Sequence, residues 1–463
     1  MIRSSWPLSF MKKRLMGTTS LYPSEAVLVM RMEGSNGGTN FTDESSYARS
    51  ITRSGTPTIS TSRFLEGGSS ALFASGDYLT SADSEDFNFG SGAWCVFAWV
   101  YKTNSGYAFI VGQRDSDPHW GLAHTSGGTP EYIIYLNGGG GVSGSGGRQI
   151  LNEWVHYALS RNASGVYRLR QNGKVVHTST DNRALATISY ALKIGRSGIA
   201  TDSGLPLTGN IDALAILKGL DLFDTNDSIL MPTTLVDTPQ FFVSPKIDAS
   251  GGRAVGNTVT CSSGTAWPNA GSYSYQWKLA GTPISGATSS SYTIQSGDDV
   301  TTLSCTVTNG AASETVTLGH RYWRINVTAI NGGAACGISE VEMYAKTTKG
   351  NECYGGTASA SSEWSGSDAA AEAFNGVFGS GSDAWASASG GAMPQWLKYD
   401  FGTTSFPNVT RVCISARGSV DTGQAPKDFN VQWSDDNSSW TTAWSVTNST
   451  GWSAFERRTF DKP

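Results

Sequence analysis

The sequence predicts an all-β protein built from three β-sandwich or jelly-roll modules in series. Its 55 glycines, 11% aromatic residues and only 15% charged residues are typical of strands joined by tight turns rather than of helical bundles or solvated disorder. A chain of 463 residues is too long for one hydrophobic core, and at roughly 150 residues per domain it holds about three. Short segments of alternating apolar and polar residues, the pattern of half-buried strands, support the same interpretation.

Charge and cysteine content exclude several classes of function. The formal net charge of −5 leaves no overall basic field for phosphates, so we expect no nucleic-acid partner. Six cysteines without a C-x-x-C pair are too few for a disulfide scaffold and argue against zinc. The sequence has no apolar run that could span a bilayer and no signal-peptide core at its start. We therefore expect synthesis and release in a cytoplasm.

Residues 1–23 mix basic and apolar side chains without the period of a helix or a strand. Two interpretations stay open for this N-terminal arm. It is either a flexible terminus or mis-assigned start, with Met11 or Met16 as alternatives, or an arm that anchors the chain to another protein.

The succession of strand segments and turns in residues 24–223 predicts two stacked antiparallel sheets. The segments 154–161 and 167–176 predict a hairpin, in which Asn172 and Gly173 supply the positive φ angles of a tight turn. These residues resemble the laminin-G/concanavalin-like jelly-roll family, in the form common on bacteriophage structural proteins. The segments that carry the resemblance are 32–37, 76–79, 86–90, 154–161, 192–195 and 209–214.

The resemblance implies binding rather than catalysis in this module. Many members of the family bind glycans, and hydrolytic relatives carry their carboxylates on one strand as Glu-x-Asp-x-x-Glu. Retaining hydrolysis needs two carboxylates about 5 Å apart. Because the triplet is absent from the sequence, we expect no enzyme activity.

The loop before Trp120 is a candidate binding site in the same module. Asp115, Asp117 and His119, with His124 beyond Trp120, permit a metal or sugar site in which the indole stacks on a sugar ring. The alternative is a polar hairpin loop with one packed tryptophan. Two histidines five apart on a β segment point to opposite faces, which favours the alternative.

Residues 224–245 predict a linker, because three prolines surround short apolar pieces. In residues 246–319, Cys261, Trp277 and Cys305 lie on short β segments and resemble an immunoglobulin-like sandwich. The resemblance implies that the two cysteines meet across the sheets, either as a disulfide or as thiols in a reducing cytoplasm. For this module we expect a spacer rather than binding through its loops.

Residues 320–463 resemble the discoidin, or coagulation factor type C, family of galactose-binding-like jelly rolls. The segments 373–376, 385–387, 395–402 and 429–440 carry the resemblance. Family members bind sugars, lipids or proteins through loops at one end of the barrel, where we expect Trp364, Arg417 and Trp452. There an arginine would bind hydroxyls while a ring stacks on a sugar; the alternative is that all three are packing or surface residues.

Two further features follow from the discoidin resemblance. Trp385, Trp396 and Trp440 match family core positions, so we interpret most tryptophans of this module as structural. Many members hold a structural calcium near the position of Asn375, where aspartate is commoner. The missing charge weakens a hard-cation site, so a structural calcium is the one cofactor left open and no other is expected.

Two lectin-like modules, a spacer and no catalytic motif indicate a phage virion protein: a tail fibre, baseplate or head-decoration component that adheres to host surface glycans. Its N-terminal region would contact other virion proteins, and such components are commonly symmetric homo-oligomers, with a trimer expected by analogy. The virion would be assembled in the host cytoplasm. Two alternatives stay open: a purely structural decoration protein without glycan binding, and a secreted or surface carbohydrate-binding protein.

Overall fold

The computed structural model describes residues 24–65, 67–198, 205–224, 240–267, 271–345, 351–353, 355–376, 384–403, 406–418 and 421–463. The predicted N-terminal arm and residues 225–239 of the predicted linker lie outside these ranges. The described chain is almost entirely β-structure, which confirms the predicted fold class. None of its described helices has the length and apolar character that a membrane crossing requires.

The first module consists of two antiparallel sheets packed face to face. One has the order β13-β12-β11-β6-β15-β4-β3, with β1 also on β15, and the other the order β10-β9-β8-β7-β14-β5-β2. A 3-10 helix occupies Glu85–Phe87. The strands are β1 Ala26–Met30, β2 Ile51–Ser54, β3 Thr58–Ser60, β4 Ser70–Phe73, β5 Tyr78–Ser81, β6 Trp94–Lys102, β7 Ala108–Gln113, β8 Trp120–His124, β9 Pro130–Tyr135, β10 Gly141–Ser145, β11 Trp154–Arg161, β12 Val166–Gln171, β13 Lys174–Thr180, β14 Leu192–Ile194 and β15 Gly209–Lys218.

The turn predicted at Asn172 and Gly173 is present and divides the segment 167–176 into two strands. Both residues have positive φ, 48° and 77°, so the pair reverses the chain between β12 and β13. The hairpin at this turn is therefore β12-β13, and β11 joins it as the next strand of the sheet.

The middle module is built from short strands in three small sheets. Their orders are β16-β19, β17-β18-β22 and β21-β20-β23-β24. A 3-10 helix occupies Val300–Thr302. The strands are β16 Gln240–Val243, β17 Ile247–Asp248, β18 Thr258–Cys261, β19 Thr265–Trp267, β20 Ser274–Leu279, β21 Thr282–Pro283, β22 Ser291–Thr293, β23 Leu303–Asn309 and β24 Ala312–Thr317.

The end of the predicted linker forms a strand, β16. Its two phenylalanines are buried on opposite sides: Phe241 packs in the core of the middle module, and Phe242 packs with Phe97 and Phe223 of the first. Because both rings are buried, packing orders this stretch as a strand. The proline content from which the linker was predicted did not indicate a strand here.

The third module packs a sheet of order β28-β30-β25-β32-β33 against one of order β27-β31-β34, with β26-β29 beside them. Its 3-10 helices are Gly366–Asp368, Ala370–Phe374 and Thr422–Gln424. The strands are β25 Tyr322–Ile330, β26 Gly337–Ile338, β27 Glu340–Tyr344, β28 Thr357–Ala360, β29 Trp385–Ala386, β30 Gln395–Asp400, β31 Arg411–Ser415, β32 Pro426–Ser434, β33 Thr441–Val446 and β34 Arg457–Asp461.

Of the three tryptophans that were assigned to the core of this module, only one is fully buried. Trp385 is fully buried, as predicted. Trp396 and Trp440 are only half-buried, and the core assignment is wrong for both. Trp396 alternates with the buried Leu397 along β30, so its ring lies on the outer side of the sheet.

Candidate functional site

Several loops of the third module meet at one end of its barrel, which we call the loop end. Ile330, the last residue of β25, pairs with Pro426, the first residue of β32. Ala360, the last residue of β28, pairs with Leu397 near the start of β30. The loop between β31 and β32 runs into the same start of β32. Strand register therefore places residues 361–365, 416–418 and 421–425 on one surface.

Trp364 is the exposed ring of the loop end. Its exposed fraction is 49%, whereas every other described tryptophan is buried or half-buried. Its backbone N–H donates to the carbonyl oxygen of Ala386 at 2.8 Å, which fixes the backbone that carries the ring. An indole held in water by an ordered backbone offers a flat apolar surface to a ligand.

Polar side chains beside Trp364 form a connected network. Arg417 donates from Nη2 to Oδ1 of Asp368 and from Nη1 to Oε1 of Gln424, both at 3.0 Å. Ser365 Oγ donates to the second carboxylate oxygen of Asp368 at 2.6 Å, and Gln424 donates to Asp421 at 2.9 Å. We call Trp364, Ser365, Asp368, Arg417 and Gln424 the loop-end cluster.

Arg417 lies at the loop end, as predicted, but its guanidinium is largely enclosed. Its side chain is 11% exposed and that of Asp368 is 16% exposed. An ion pair this far from water holds its geometry firmly, since separating it would leave a charge poorly solvated. Arg417 therefore positions two loops, and the exposed contact surface is that of Trp364 and the polar groups around it.

The prediction that Trp452 presents its ring to a sugar is wrong. Trp452 is 7% exposed, and its Nε1 donates to the carbonyl oxygen of Ser449 at 3.0 Å. The Arg458 guanidinium lies over the ring, 4.2 Å from its centre. One face of the indole thus packs on the core and the other is covered by arginine, which leaves no face for a ligand.

Trp120 is also unavailable as a glycan-binding residue. It is fully buried, donates from Nε1 to Oε1 of Gln113 at 3.0 Å and packs against Phe89 and Trp94. The expected alternative, a packed tryptophan, is therefore the correct one. Nearby, burial lowers the pKa of His124 to about 3, so that this histidine is a neutral core residue.

Comparison with protein families assigns both ends of the chain. Residues 73–220 match the concanavalin A-like lectin/glucanases superfamily, in its laminin-G form, and residues 373–462 match the NedA-like, galactose-binding domain of the coagulation factor type C kind. The chain contains a laminin-G-like domain and a discoidin-type domain. Arg417 lies inside the second match and Trp364 just before it. Neither match reaches the middle module, whose immunoglobulin-like assignment stays a prediction.

Solved structures similar to this chain include several binding modules. Domain 4 of the extracellular arabinanase AbnA from Geobacillus stearothermophilus is 16% identical, with 37% of this chain and 82% of that chain covered and a TM-score of 0.28. The binding domain of Paraclostridial Mosquitocidal Protein 1 is 12% identical, with 81% and 91% covered and a TM-score of 0.36. These values are too low to carry function between the proteins. No curated protein matches the chain.

The two cysteines of the middle module meet in its core. Cys261 lies on β18 and Cys305 on β23, in different sheets, and both are buried beside Trp277. Both are free thiols in this structure. The interaction of the two thiols is the main cause of opposite shifts, raising the pKa of Cys261 and lowering that of Cys305. The predicted meeting across the sheets is confirmed, and the disulfide stays a prediction.

Asn375 shows no side-chain cage for calcium. Its Nδ2 donates to Oε2 of Glu372 at 2.9 Å, so the amide already uses the neighbouring carboxylate. Within the described ranges no group of three or more His, Cys, Asp or Glu side chains is placed to hold a metal ion. A structural calcium near Asn375 stays a prediction.

The laminin-G-like and discoidin-type domains contact each other through largely buried charges, which sequence reasoning missed. Glu342 on β27 pairs with Arg457 at 2.6 Å and lies 3.7 Å from Arg148 of the first domain. Glu340, two residues earlier, is 2% exposed, and Lys174 of the first domain acts on its charge. We call these five residues the clasp. Charged residues far apart in the chain give no local pattern that could reveal such a contact.

A cleft of about 400 Å³ opens beside the clasp. Lys174 and Val176 line it from the laminin-G-like domain, and Phe374, Asn375 and Tyr399 line it from the discoidin-type domain. Since the two aromatic rings are buried, the cleft offers less stacking surface than Trp364. The loop end is therefore the stronger candidate for ligand binding.

Proposed function

We propose that this chain is a non-enzymatic adhesion protein that binds glycans through the loop end of its discoidin-type domain. The observation that carries the proposal is Trp364, an indole with an exposed fraction of 49% beside a network of hydrogen-bonding side chains. The match of residues 373–462 to a galactose-binding family supports the ligand class. The match of residues 73–220 to a lectin-containing superfamily is consistent with it.

The chemistry of the loop-end cluster suits a neutral sugar. A pyranose has an apolar face of C–H groups that an indole can cover, and a rim of hydroxyls that both donate and accept hydrogen bonds. Ser365 and Gln424 supply neutral partners, and Asp368 is oriented by Arg417 and can accept from a hydroxyl. Ion pairing keeps this carboxylate in place before the ligand arrives, which lowers the entropic cost of binding.

A binding role agrees with the available carboxylates. Retaining hydrolysis requires two carboxylates about 5 Å apart, and the triplet typical of hydrolytic relatives is absent from the sequence. At the loop end, Asp368 is engaged with Arg417 and serves as a fixed acceptor.

The wider role that we propose is that of a phage virion component, in the tail fibre, baseplate or head decoration. Its support is the resemblance of the modules to those of phage structural proteins, and the serial arrangement of two lectin-like domains around a spacer. Residues 1–23 would attach the chain to other virion proteins, in a homo-oligomer such as a trimer. Detection of the chain on purified particles, with loss of adsorption when it is deleted, would support this context; normal adsorption would favour a purely structural decoration protein.

Glycan binding is tested with the purified full chain on an array of surface glycans, followed by calorimetric titration of the best ligand. We expect Trp364→Ala to weaken binding at least about fivefold, since stacking on an aromatic side chain contributes about 1–3 kcal/mol. Tyr107→Ala is the matched control, because Tyr107 of the laminin-G-like domain has the same exposed fraction of 49%. Unchanged affinity of the Trp364 variant, or no binding to any glycan, would refute the proposal.

A further inference from the structure

The five-stranded sheet of the discoidin-type domain has an outer side that is not part of the loop end. Along β25, Trp323, Ile325 and Val327 point into the core. Because side chains alternate along a strand, Tyr322 and Arg324 point outward. Both are half-buried, so that part of each side chain reaches solvent.

The neighbouring strand and a loop add aromatic rings and a second cation. Trp396 and Lys398 alternate with buried residues of β30, and Lys398 lies opposite Arg324 in the strand register. Trp440, in the loop after β32, packs against the guanidinium of Arg324. We call Tyr322, Arg324, Trp396, Lys398 and Trp440 the outer face.

Each cation of the outer face lies against an aromatic ring. Arg324 Cζ is 4.0 Å from the ring centre of Trp440. Lys398 Nζ is 5.5 Å from the centre of the Trp396 ring and 5.6 Å from that of Tyr322. Such contacts hold the charges in fixed positions on the sheet.

The hydrogen-bond partners of these cations are neutral amides. Arg324 donates from Nε to Oε1 of Gln432 at 2.7 Å, and Lys398 donates from Nζ to Oδ1 of Asn437 at 2.8 Å. The nearby carboxylate of Asp400 is bound by both Nε and Nη2 of Arg321 at 2.8 and 2.9 Å. The outer face therefore carries two positive charges that its own hydrogen bonds do not neutralise, in a protein whose net charge is −5.

The surroundings of Arg324 and Lys398 disfavour the charged forms of both side chains. Burial lowers the pKa of Arg324. Burial and, to a lesser extent, the charge of Arg324 lower the pKa of Lys398, against the opposing effect of Asp400. An anion bound across both groups would offset this cost, because opposite charges nearby favour the charged forms.

We propose that the outer face is a second binding site, specific for an acidic sugar. The carboxylate of a uronic or sialic acid residue would bind between Arg324 and Lys398, and the sugar ring would lie against the exposed part of Trp396. Bidentate recognition by a guanidinium and contact with an indole are the two interactions that such a ligand needs. This site is separate from the loop-end cluster, and its existence does not depend on glycan binding there.

Charge and composition favour a sugar over a nucleic acid at this surface. A phosphate backbone requires an extended basic surface and binds poorly to a protein of net negative charge. Here two cations are surrounded by hydroxyl and amide side chains on the same sheet, among them Asn326, Asn430 and Ser445, of which Ser445 donates to Asn430 at 2.6 Å. Groups of this kind pair with sugar hydroxyls.

The test is calorimetric titration of the full chain with short oligogalacturonate and with sialyllactose, each compared with its methyl ester. The ester keeps the ring and its hydroxyls but removes the negative charge. We expect at least one acid to bind, its ester to bind at least about tenfold more weakly, and the affinity for the acid to fall as salt is added. Equal binding of acid and ester, no binding of either acid, or tighter binding of single-stranded DNA would overturn the proposal.

Single-residue variants test whether the acidic sugar binds at the outer face. Lys398→Gln should weaken binding of the acid about tenfold, as expected for loss of one charge-assisted hydrogen bond, and Trp396→Ala should weaken binding of the acid as well. Lys427→Gln, on β32 of the same domain, is the matched control and should bind normally. An unaltered affinity of Lys398→Gln, with an unaltered melting temperature, would refute the assignment.

Discussion

Arg417 donates a hydrogen bond from Nη2 to Oδ1 of Asp368 at 3.0 Å and thereby joins two loops of the discoidin-type domain that are 49 residues apart in sequence. The pair is more enclosed than a surface ion pair, with exposed side-chain fractions of 11% and 16%. Removal of one partner would leave the other charge poorly solvated, which costs more than the ion pair itself contributes. The structure therefore makes Arg417 a positioning residue for the surface around Trp364.

Arg417→Ala should destabilise the discoidin-type domain by about 1–3 kcal/mol, because it removes hydrogen bonds to a charged group away from water. Calorimetric melting of the full chain measures the effect. Arg411→Ala is the control: the Arg411–Asp461 pair is at 2.5 Å, but its aspartate side chain is 55% exposed, so its loss should cost less than about 1 kcal/mol. Equal effects of the two variants would contradict the enclosed role of Arg417.

Trp364 and Trp452 should respond differently to truncation, although both were predicted at the loop end. Trp452→Ala removes a buried ring and should cost about 3–5 kcal/mol, whereas Trp364→Ala removes an exposed one and should cost about 0.5 kcal/mol or less. Melting temperatures of the two variants measure this. A similar loss for both would show that Trp364 packs rather than faces solvent.

The sequence was sufficient to predict the location of the loop end but not the exposure of its residues. Family spacing placed Trp364, Arg417 and Trp452 at one end of a barrel, and strand register agrees for Trp364 and Arg417. Burial of Trp452 depends on Arg458, which lies over the ring at 4.2 Å, and on the Ser449 carbonyl that accepts from its indole nitrogen. No motif encodes contacts of this kind, because they depend on how a loop folds back on its own sheet.

The outer face and the clasp could not be predicted for the same reason, because both depend on contacts that no sequence motif encodes. Trp396 and Trp440 were interpreted as core residues from their match to family positions, yet they stabilise the sheet from outside, where Arg324 and Lys398 pack on the rings. The contact of Arg148 with Glu342 joins residues far apart in the chain. By contrast, the turn at Asn172 and Gly173 follows from local φ preferences and was predicted from two residues.

Oxidation should stabilise the middle module. Cys261 and Cys305 lie in the same core on strands of different sheets, so a mild oxidant should join them in a disulfide. A disulfide that closes a loop of this length should add about 4 kcal/mol through the entropy of the unfolded chain. Calorimetry before and after oxidation measures the gain, with Cys261→Ser as the control that should show none. Six alkylatable thiols in the oxidised, denatured protein, rather than the four that one disulfide would leave, would contradict the prediction.

Glu340 and Glu342 lie two residues apart on β27 and should give opposite pH dependences. Burial is the largest effect on Glu340 and raises its pKa to about 8. Its contribution to stability is therefore fully present below the unfolded value near 4.5 and is lost as the pH rises through 8. Burial also acts on Glu342, but Arg457 and Arg148 overcome it and lower its pKa. The contribution of Glu342 is present above the unfolded value and is lost as the pH falls through the lowered one.

Replacement of each glutamate by glutamine tests these signs. Because glutamine resembles the protonated carboxyl, Glu340→Gln should raise the melting temperature at about pH 8 and change it little at about pH 5. Glu342→Gln should lower the melting temperature at about pH 8, since it leaves Arg457 without its carboxylate, and should lower it less in acid, where the wild-type carboxyl is also neutral. The two variants are matched in chemistry and strand, so each controls for the other. Destabilisation by Glu340→Gln at the higher pH would mean that the clasp needs an ionised Glu340, as the partner of Lys174.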